Sequence, residues 1–321
     1  MNRQPIIIVA GEPNSIFLEI FFKSLKSHKY KSPLIIIASR KLLNQQMNKL
    51  GYSFKVNSIN ANFIKFSELN NKKINIINVD YNFDNCFDNI TIKSKSYINK
   101  CFNVALKILK KNKLTKLING PISKKHFLQG RHFGITEYLA DKTKINGKFA
   151  MLIFNRKLSV SPLTTHIALK DVSKKISQKK IHEHVLLITQ FYKKRFNKTP
   201  KIAVTGLNPH CESNFKDSEE DLIIKPAIKK LSKLNYLVGG PYPADTIFAK
   251  DQLKRYDVII GMYHDQVLSP VKTLFGFDAI NITLGLPFIR VSPDHGPNSS
   301  MLGKNLSNPQ SLIKALKFLD K

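Results

Sequence analysis

Three histidines stand just beyond apolar, strand-like runs: His166 in SPLTTHIAL, His210 in VTGLNPHCE and His264 in YDVIIGMYHDQ. In an open α/β sheet, ligands gather outside the carboxyl ends of the strands, so side chains delivered there can converge in one cleft. Three neutral imidazoles suit a divalent cation, at about 2.0–2.1 Å for zinc, with a position left open for water or substrate. The competing reading, three unrelated loop or cap histidines, stays open at this point, because the spacing is not that of a compact metal motif such as HExxH.

The elements that would carry these residues are legible in the patterning. PIIIVAG (5–11), SPLIIIAS (32–39), KINIINV (73–79), KLING (116–120), KIAVTGL (201–207) and YDVIIGM (256–262) have the length and β-branched character of buried strands. Residues 94–111 form a helical stripe of Ile98, Phe102, Ala105, Leu106 and Leu109, and residues 172–195 are long enough for a second helix. Strand and helix alternate, which argues for an α/β sheet with crossover helices. Residues 149–169 interrupt the alternation and read as a hairpin joined through Asn155, Arg156 and Lys157.

Composition narrows the function classes. A chain of 321 residues with 42% hydrophobic content exceeds the length at which one core usually divides, so two lobes are expected. No run is long enough to span a bilayer, and the run from Ile6 to Ala10 is too short for a signal sequence, which together predict a cytoplasmic protein without membrane attachment. Cys86, Cys101 and Cys211 are odd in number and lack metal-ligand spacing, which predicts free thiols. The formal charge of +30 comes from lysines spread along the whole chain beside many Asn and Ile residues. With no zinc-finger spacing, aromatic platform or arginine tract, solvated lysine faces outweigh a nucleic-acid groove.

The text around the histidines is more specific. NGPISKK, TEYLADK, TTHIAL, VTGLNPH, GGPYPADTIF, YDVIIGMYHDQ and NITLGLPFIRVSPDHG, between Asn119 and Gly296, resemble in order and separation the motifs of the 4-hydroxythreonine-4-phosphate dehydrogenase family. The resemblance implies a two-domain α/β fold like that of isocitrate and isopropylmalate dehydrogenases, with mixed sheets flanked by helices and the active site in the interdomain cleft. We expect one lobe of residues 1–125 plus 275–321 on the cofactor side, and a second of residues 126–274 with the metal-ligand histidines and dimer contacts. It also implies a homodimer with shared active sites and a divalent metal (Zn, Mg or Co) held by His166, His210 and His264 from both subunits. Substrate contacts fall on Thr136, Lys272, Asn281 and Arg290. Lys272 and Arg290 would supply positive charge for a phosphate or carboxylate, and Thr136 and Asn281 neutral hydrogen bonds.

The chemistry implied is oxidation of a secondary alcohol by NAD or NADP, followed by decarboxylation of a 3-oxo acid, in vitamin B6 (pyridoxine) biosynthesis. A divalent cation would act there as a Lewis acid. Lys272, Asp245 and Asp265 are the catalytic candidates, the two acids as groups that orient a ligand or substrate or relay a proton. No G-x-G-x-x-G follows a strand, and the resemblance places the cofactor near residues 281–296, where Gly285 and Gly296 could admit close backbone approach. Departures bear on the substrate. Ile135 stands where the family has a histidine before its Thr-Glu, the loop after His210 reads CESNFKDSEE, PNSSM follows His295 and Gly296, and GEPNSIFLE near the N-terminus lacks the usual glycines. The leading expectation is therefore a small phosphorylated hydroxy amino acid, 4-phosphohydroxy-L-threonine. The alternatives are a phosphothreonate and a non-catalytic metabolite-binding role.

Overall fold

The computed structural model describes residues 3–130, 132, 134–145, 148–211, 217–276, 278–293 and 295–321. In chain order the elements are β1 (Ile6–Val9), α1 (Phe17–Ser27), β2 (Leu34–Ala38), α2 (Arg40–Lys49), β3 (Val56–Ser58), β4 (Ile74–Asn78), α3 (Ser94–Lys111), β5 (Lys116–Asn119) and α4 (Ile135–Lys142). They continue as β6 (Ala150–Phe154), β7 (Ser159–Pro162), α5 (Gln178–Phe196), β8 (Ile202–Thr205), α6 (Lys225–Lys233), β9 (Val238–Tyr242) and β10 (Val258–Gly261). The last are α7 (His264–Phe275), β11 (Ile280–Leu284), β12 (Ile289–Pro293) and α8 (Gln310–Leu319). None of the helices is long and apolar enough to cross a membrane, among the described residues.

The chain divides into two compact units, Met1–Ile135 with Pro287–Lys321, and Thr136–Leu286. Both boundaries lie later than the expected 125 and 275, for identifiable reasons. The short helical segment Lys124–Leu128 stays with the first unit because Phe127 packs on Phe102 of α3, ring centroids 6.1 Å apart. Residues 280–284 belong to the second because β11 pairs antiparallel with β6, Asn281 opposite Ile153.

In the first unit the strands run parallel in the order β3-β4-β2-β1-β5-β12. Parallel strands covered on both faces read as continuous apolar runs, and IIIV of β1 and LIIIA of β2 are buried throughout. On α3 the buried stripe takes Tyr97, Ile98, Cys101, Phe102, Ala105, Ile108 and Leu109. Ile108 therefore replaces the expected Leu106, which is half-buried.

Glu12, just past β1, is 2% exposed; its Oε2 accepts from Ser94 Oγ at 2.9 Å and its Oε1 from Asn14 N at 3.5 Å. Burial pushes its carboxyl up to about 7, with the Ser94 and Asn14 hydrogen bonds opposing. An acid whose folded pKa is raised holds its proton in the folded state while the unfolded chain releases it. Stability from this group is thus full below the ordinary glutamate pKa of 4.5 and is lost as pH rises toward 7. The loss amounts to about 3 kcal/mol. Urea unfolding of the parent and Glu12→Gln at pH 5 and pH 8 should show the variant gaining on the parent at the higher pH. A difference independent of pH would refute the linkage.

In the second unit the order is β11-β6-β7-β10-β8-β9, with β6 antiparallel to both neighbours and the strands from β7 to β9 parallel. The expected hairpin is present, but β7 stops at Pro162, so His166 lies in the following loop. Met151, Val160, Ala203, Ile259 and Val267 form part of the core beneath these strands. α5 begins later than expected, at Gln178, where Ser177 Oγ accepts from Lys180 N, and it ends at Asn197 in a left-handed conformation.

Candidate active site

β7 and β10 pair in parallel from Ser159 opposite Val258 to Pro162 opposite Gly261. The pairing runs on past both strands: Leu163 N donates to Gly261 O at 2.7 Å, and Thr164 donates to Met262 O from N at 3.2 Å and from Oγ1 at 2.7 Å. Two residues farther along each segment stand His166 and His264, ring centroids 5.7 Å apart and planes inclined at 38°. Two imidazoles sharing one cation at about 2.0–2.1 Å from each nitrogen have centroids roughly 5 Å apart, so the pair suits that use with little movement. β8 flanks β10 on its other side, and His210 follows β8 in the next turn.

Each histidine is held by its own surroundings. His264 opens α7, and its Nδ1–H donates to Asp265 Oδ1 at 2.7 Å, which leaves Nε2 as the ring nitrogen not engaged by Asp265. Gln266 ties the ends of β8 and β10 together: its Oε1 accepts from Met262 N at 2.7 Å and Thr205 Oγ1 at 2.9 Å, and its Nε2 donates to Gly206 O at 2.8 Å. His210 Nδ1 lies 3.9 Å from Asp245 Oδ2, an electrostatic pairing longer than a hydrogen bond, with both side chains largely exposed.

The turn bearing His210 is unusual for its residues. His210 has φ +57° and Cys211 φ +58°, a left-handed stretch that costs a non-glycine chain energy and persists only where the surroundings hold it. Glu220 does so: Oε1 accepts from Leu207 N at 2.7 Å and Asn208 N at 2.9 Å, and Oε2 from Asn208 Nδ2 at 2.8 Å. Burial pushes the Glu220 carboxyl up, but the bonds from Asn208 and Leu207 outweigh it and hold it below the usual glutamate value. A Cβ at Gly206 would sit 2.7 Å from Cys211 Sγ, so a larger residue there would have to displace that side chain. Residues 212–216 of the altered loop after His210 lie outside the described residues, as does Asp294 beside His295. Among the described residues no group of three or more His, Cys, Asp or Glu side chains could hold a metal ion within one chain. Among the described residues, His166 and His264 form a close ring pair.

The substrate candidates divide between the units. Thr136, 5% exposed in the first turn of α4, has its Oγ1 3.2 Å from Thr283 Oγ1 on β11. Asn281 shares that face of β11 by the two-residue period, and its Oδ1 is buried without a hydrogen-bond donor among the described residues. Lys272 is exposed in the last turn of α7, two turns beyond Asp265 and on the same face. Arg290 belongs to the first unit and is 1% exposed; its Nε donates to Asn119 Oδ1 at 2.6 Å. This candidate substrate contact is an enclosed guanidinium that braces the end of β5. Gly285 has φ +92°, and a Cβ there would meet Lys148 O at 2.2 Å. The chain's own packing therefore explains that glycine, whereas a Cβ at Gly296 would meet nothing within 4 Å.

Sequence reasoning passes over Gln266, Glu220, Thr283 and Glu137. Gln266 and Glu137 lie inside the quoted motifs YDVIIGMYHDQ and TEYLADK, yet no periodicity marks a polar side chain whose partner is distant in the chain.

Residues 29–319 match the family model described as pyridoxal phosphate biosynthetic protein PdxA. The chain is 36% identical over 319 residues to the 4-hydroxythreonine-4-phosphate dehydrogenase of Sulfurihydrogenibium sp. (strain YO3AOP1), covering 98% of this chain and 96% of the relative. It is 32% identical over 331 residues to an Oceanobacillus iheyensis protein provisionally named D-threonate 4-phosphate dehydrogenase, covering 98% and 97%. Among solved structures it is similar to 4-hydroxythreonine-4-phosphate dehydrogenase from Klebsiella pneumoniae, with TM-score 0.83, 27% identity and 98% of each chain covered. Isocitrate dehydrogenase from Methylococcus capsulatus, at TM-score 0.51 and 11% identity over 97% of this chain and 83% of that one, shares the fold alone.

Proposed function

The chain belongs to the PdxA family of pyridoxal phosphate biosynthetic proteins, an oxidoreductase family, and from that premise we propose that it oxidises 4-phosphohydroxy-L-threonine with NAD or NADP. The product is a 3-oxo acid that loses carbon dioxide to give 3-amino-2-oxopropyl phosphate. The observation that carries the reading is the His166–His264 pair at the ends of adjacent parallel strands, with a carboxylate on the outer nitrogen of His264. His166, His210 and His264, contributed by the two subunits of a cytoplasmic homodimer, would hold a divalent cation of the Zn, Mg or Co kind. When bound, that cation supplies Lewis acidity at the reacting alcohol.

The chain's own residues do the rest. Asp265 and Asp245 orient the imidazoles of His264 and His210. Lys272 brings positive charge to the phosphate or carboxylate, Arg290 adds its charge from an enclosed position, and Thr136 and Asn281 offer hydrogen bonds. Gly296 leaves room for the nicotinamide cofactor.

A second reading, oxidation of a phosphothreonate, is favoured by Ile135. This side chain is half-buried at the first position of α4, beside Thr136, and cannot form a hydrogen bond. Purified protein should reduce NAD or NADP when given 4-phosphohydroxy-L-threonine and a divalent metal. Reduction with D-threonate 4-phosphate instead would replace the leading reading with the second; no reduction with either would overturn both.

A further inference from the structure

Residues 79–93 join β4 to α3 without a helix or strand of their own. Connections of that length inside a compact unit are uncommon and are often functional. This one runs along the carboxyl ends of the first unit's strands, where an open parallel sheet receives its ligands. Val79 N donates to Ala38 O, at the end of β2, at 3.0 Å, and the Tyr81 ring lies 4.8 Å from that of Tyr97 on α3. Farther along, Cys86 O accepts from Gln46 Nε2 at 2.7 Å, and Asn89 O accepts from Asn14 Nδ2, just past β1, at 3.0 Å. Phe87 packs on Gly303, where a Cβ would meet its ring at 3.0 Å. Beyond Val79 these anchors are side-chain bonds and ring contacts, not a strand ladder.

Glu12 lies at the same end of the sheet, its N donating to Pro121 O at 2.9 Å and its carboxyl turned to Ser94. Ser94 Oγ is 2.9 Å from Glu12 Oε2 and 3.0 Å from Thr91 O, so one hydroxyl faces two acceptors. A hydroxyl has one proton to donate. With Glu12 protonated, the carboxyl donates to Ser94 Oγ and Ser94 donates to Thr91 O. With Glu12 ionised, the carboxylate takes the Ser94 proton and Thr91 O loses its donor.

The other groups around Glu12 come from three elements. Tyr81 faces it from the connection: burial raises that phenol, and the charges of Glu12 and Asp88 add to the effect. The turn after β1 presents Asn14 N at 3.5 Å, and α3 presents its N-terminal turn, which favours the ionised form. Burial nonetheless pushes the Glu12 carboxyl up to about 7, so both forms are populated near neutrality.

We propose that residues 80–93 form a strap over the carboxyl ends of β1, β2 and β4, latched by a proton on Glu12 through Ser94 to Thr91. Loss of that proton to solvent releases Thr91 and opens this end of the first unit as pH rises.

Cys86, 5% exposed in the middle of the strap, is a reporter of opening. Its alkylation by iodoacetamide is located by mass spectrometry and divided by the rate for the same thiol in the urea-unfolded chain at the same pH. With a Glu12 pKa of 4.5 in the open strap and about 7 in the closed one, this ratio is expected to rise about tenfold from pH 6 to pH 8. Glu12→Gln, which cannot ionise, should give one ratio at both pH values. Ser94→Ala, which removes the relay, should label faster than the parent at pH 6, and it carries the comparison if the glutamine variant does not fold. Cys101 on α3, 0% exposed, should stay unlabelled throughout. A parent ratio independent of pH, the same rise in Glu12→Gln, or a Ser94→Ala variant that labels like the parent would overturn the proposal. Labelling of Cys101 in step with Cys86 would also overturn it, because the whole unit would then be unfolding.

Discussion

His264→Ala is expected to abolish metal-dependent turnover while leaving the second unit folded. His264 contributes an imidazole at the start of α7 and buries little apolar surface, whereas the helix is anchored by Val267, Leu268 and Val271 beneath it. Metal affinity should fall by more than the roughly 10- to 100-fold that follows loss of an outer hydrogen-bond partner. Asp265→Asn, which disturbs only the orienting bond to Nδ1, should stay within that range. Elemental analysis of the purified variants and turnover with added metal check both values. Full metal occupancy in His264→Ala would refute its assignment as a ligand. If His210 reaches the His166–His264 pair from the other subunit, mixed dimers of His264→Ala and His210→Ala should also regain part of the activity that each lacks alone.

Glu220→Ala should carry the largest stability cost of the substitutions around the site. Glu220 is 1% exposed and receives two backbone N–H groups and one side-chain amide from the turn before His210. Its removal leaves two part-buried backbone donors without their acceptor and loosens the turn, with Glu219 Oε2, which accepts from Asn208 Nδ2 at 2.9 Å, remaining. At about 1–3 kcal/mol for each unsatisfied buried donor, the expected loss is on the order of 2–5 kcal/mol. Glu220→Gln, which keeps one acceptor oxygen, should lose less. Because the folded carboxyl is held below its ordinary pKa of 4.5, this contribution is full above that value and fades as acid titrates the folded group. Thermal unfolding of the two variants at neutral pH tests the ranking. An alanine variant that melts with the parent would show that the turn is held by other contacts.

What the amino-acid order determines by itself is local. Strand positions such as Ile6–Val9, Leu34–Ala38 and Val258–Gly261 follow from β-branched runs, and α3 begins and ends where its periodicity does. The histidines can be placed just past strand ends, because that needs only the strand and the few residues after it. The motif resemblance extends this to the family and its chemistry.

The strand order cannot be read that way. His166 and His264 lie side by side because β7 and β10 are parallel neighbours in the order β7-β10-β8, a pairing between segments almost a hundred residues apart whose register is set by packing rather than by local propensity. The same holds for polar side chains whose roles depend on remote partners. Arg290 reads in sequence as a charge for an anion, and only the fold shows it enclosed on β12 beside Asn119; Gly285 reads as room for a cofactor, and only the fold shows that a Cβ there would meet Lys148 O. Glu220 and Glu137 carry no signal at all, since a carboxylate looks solvated in sequence until the fold buries it and supplies, or withholds, its donors.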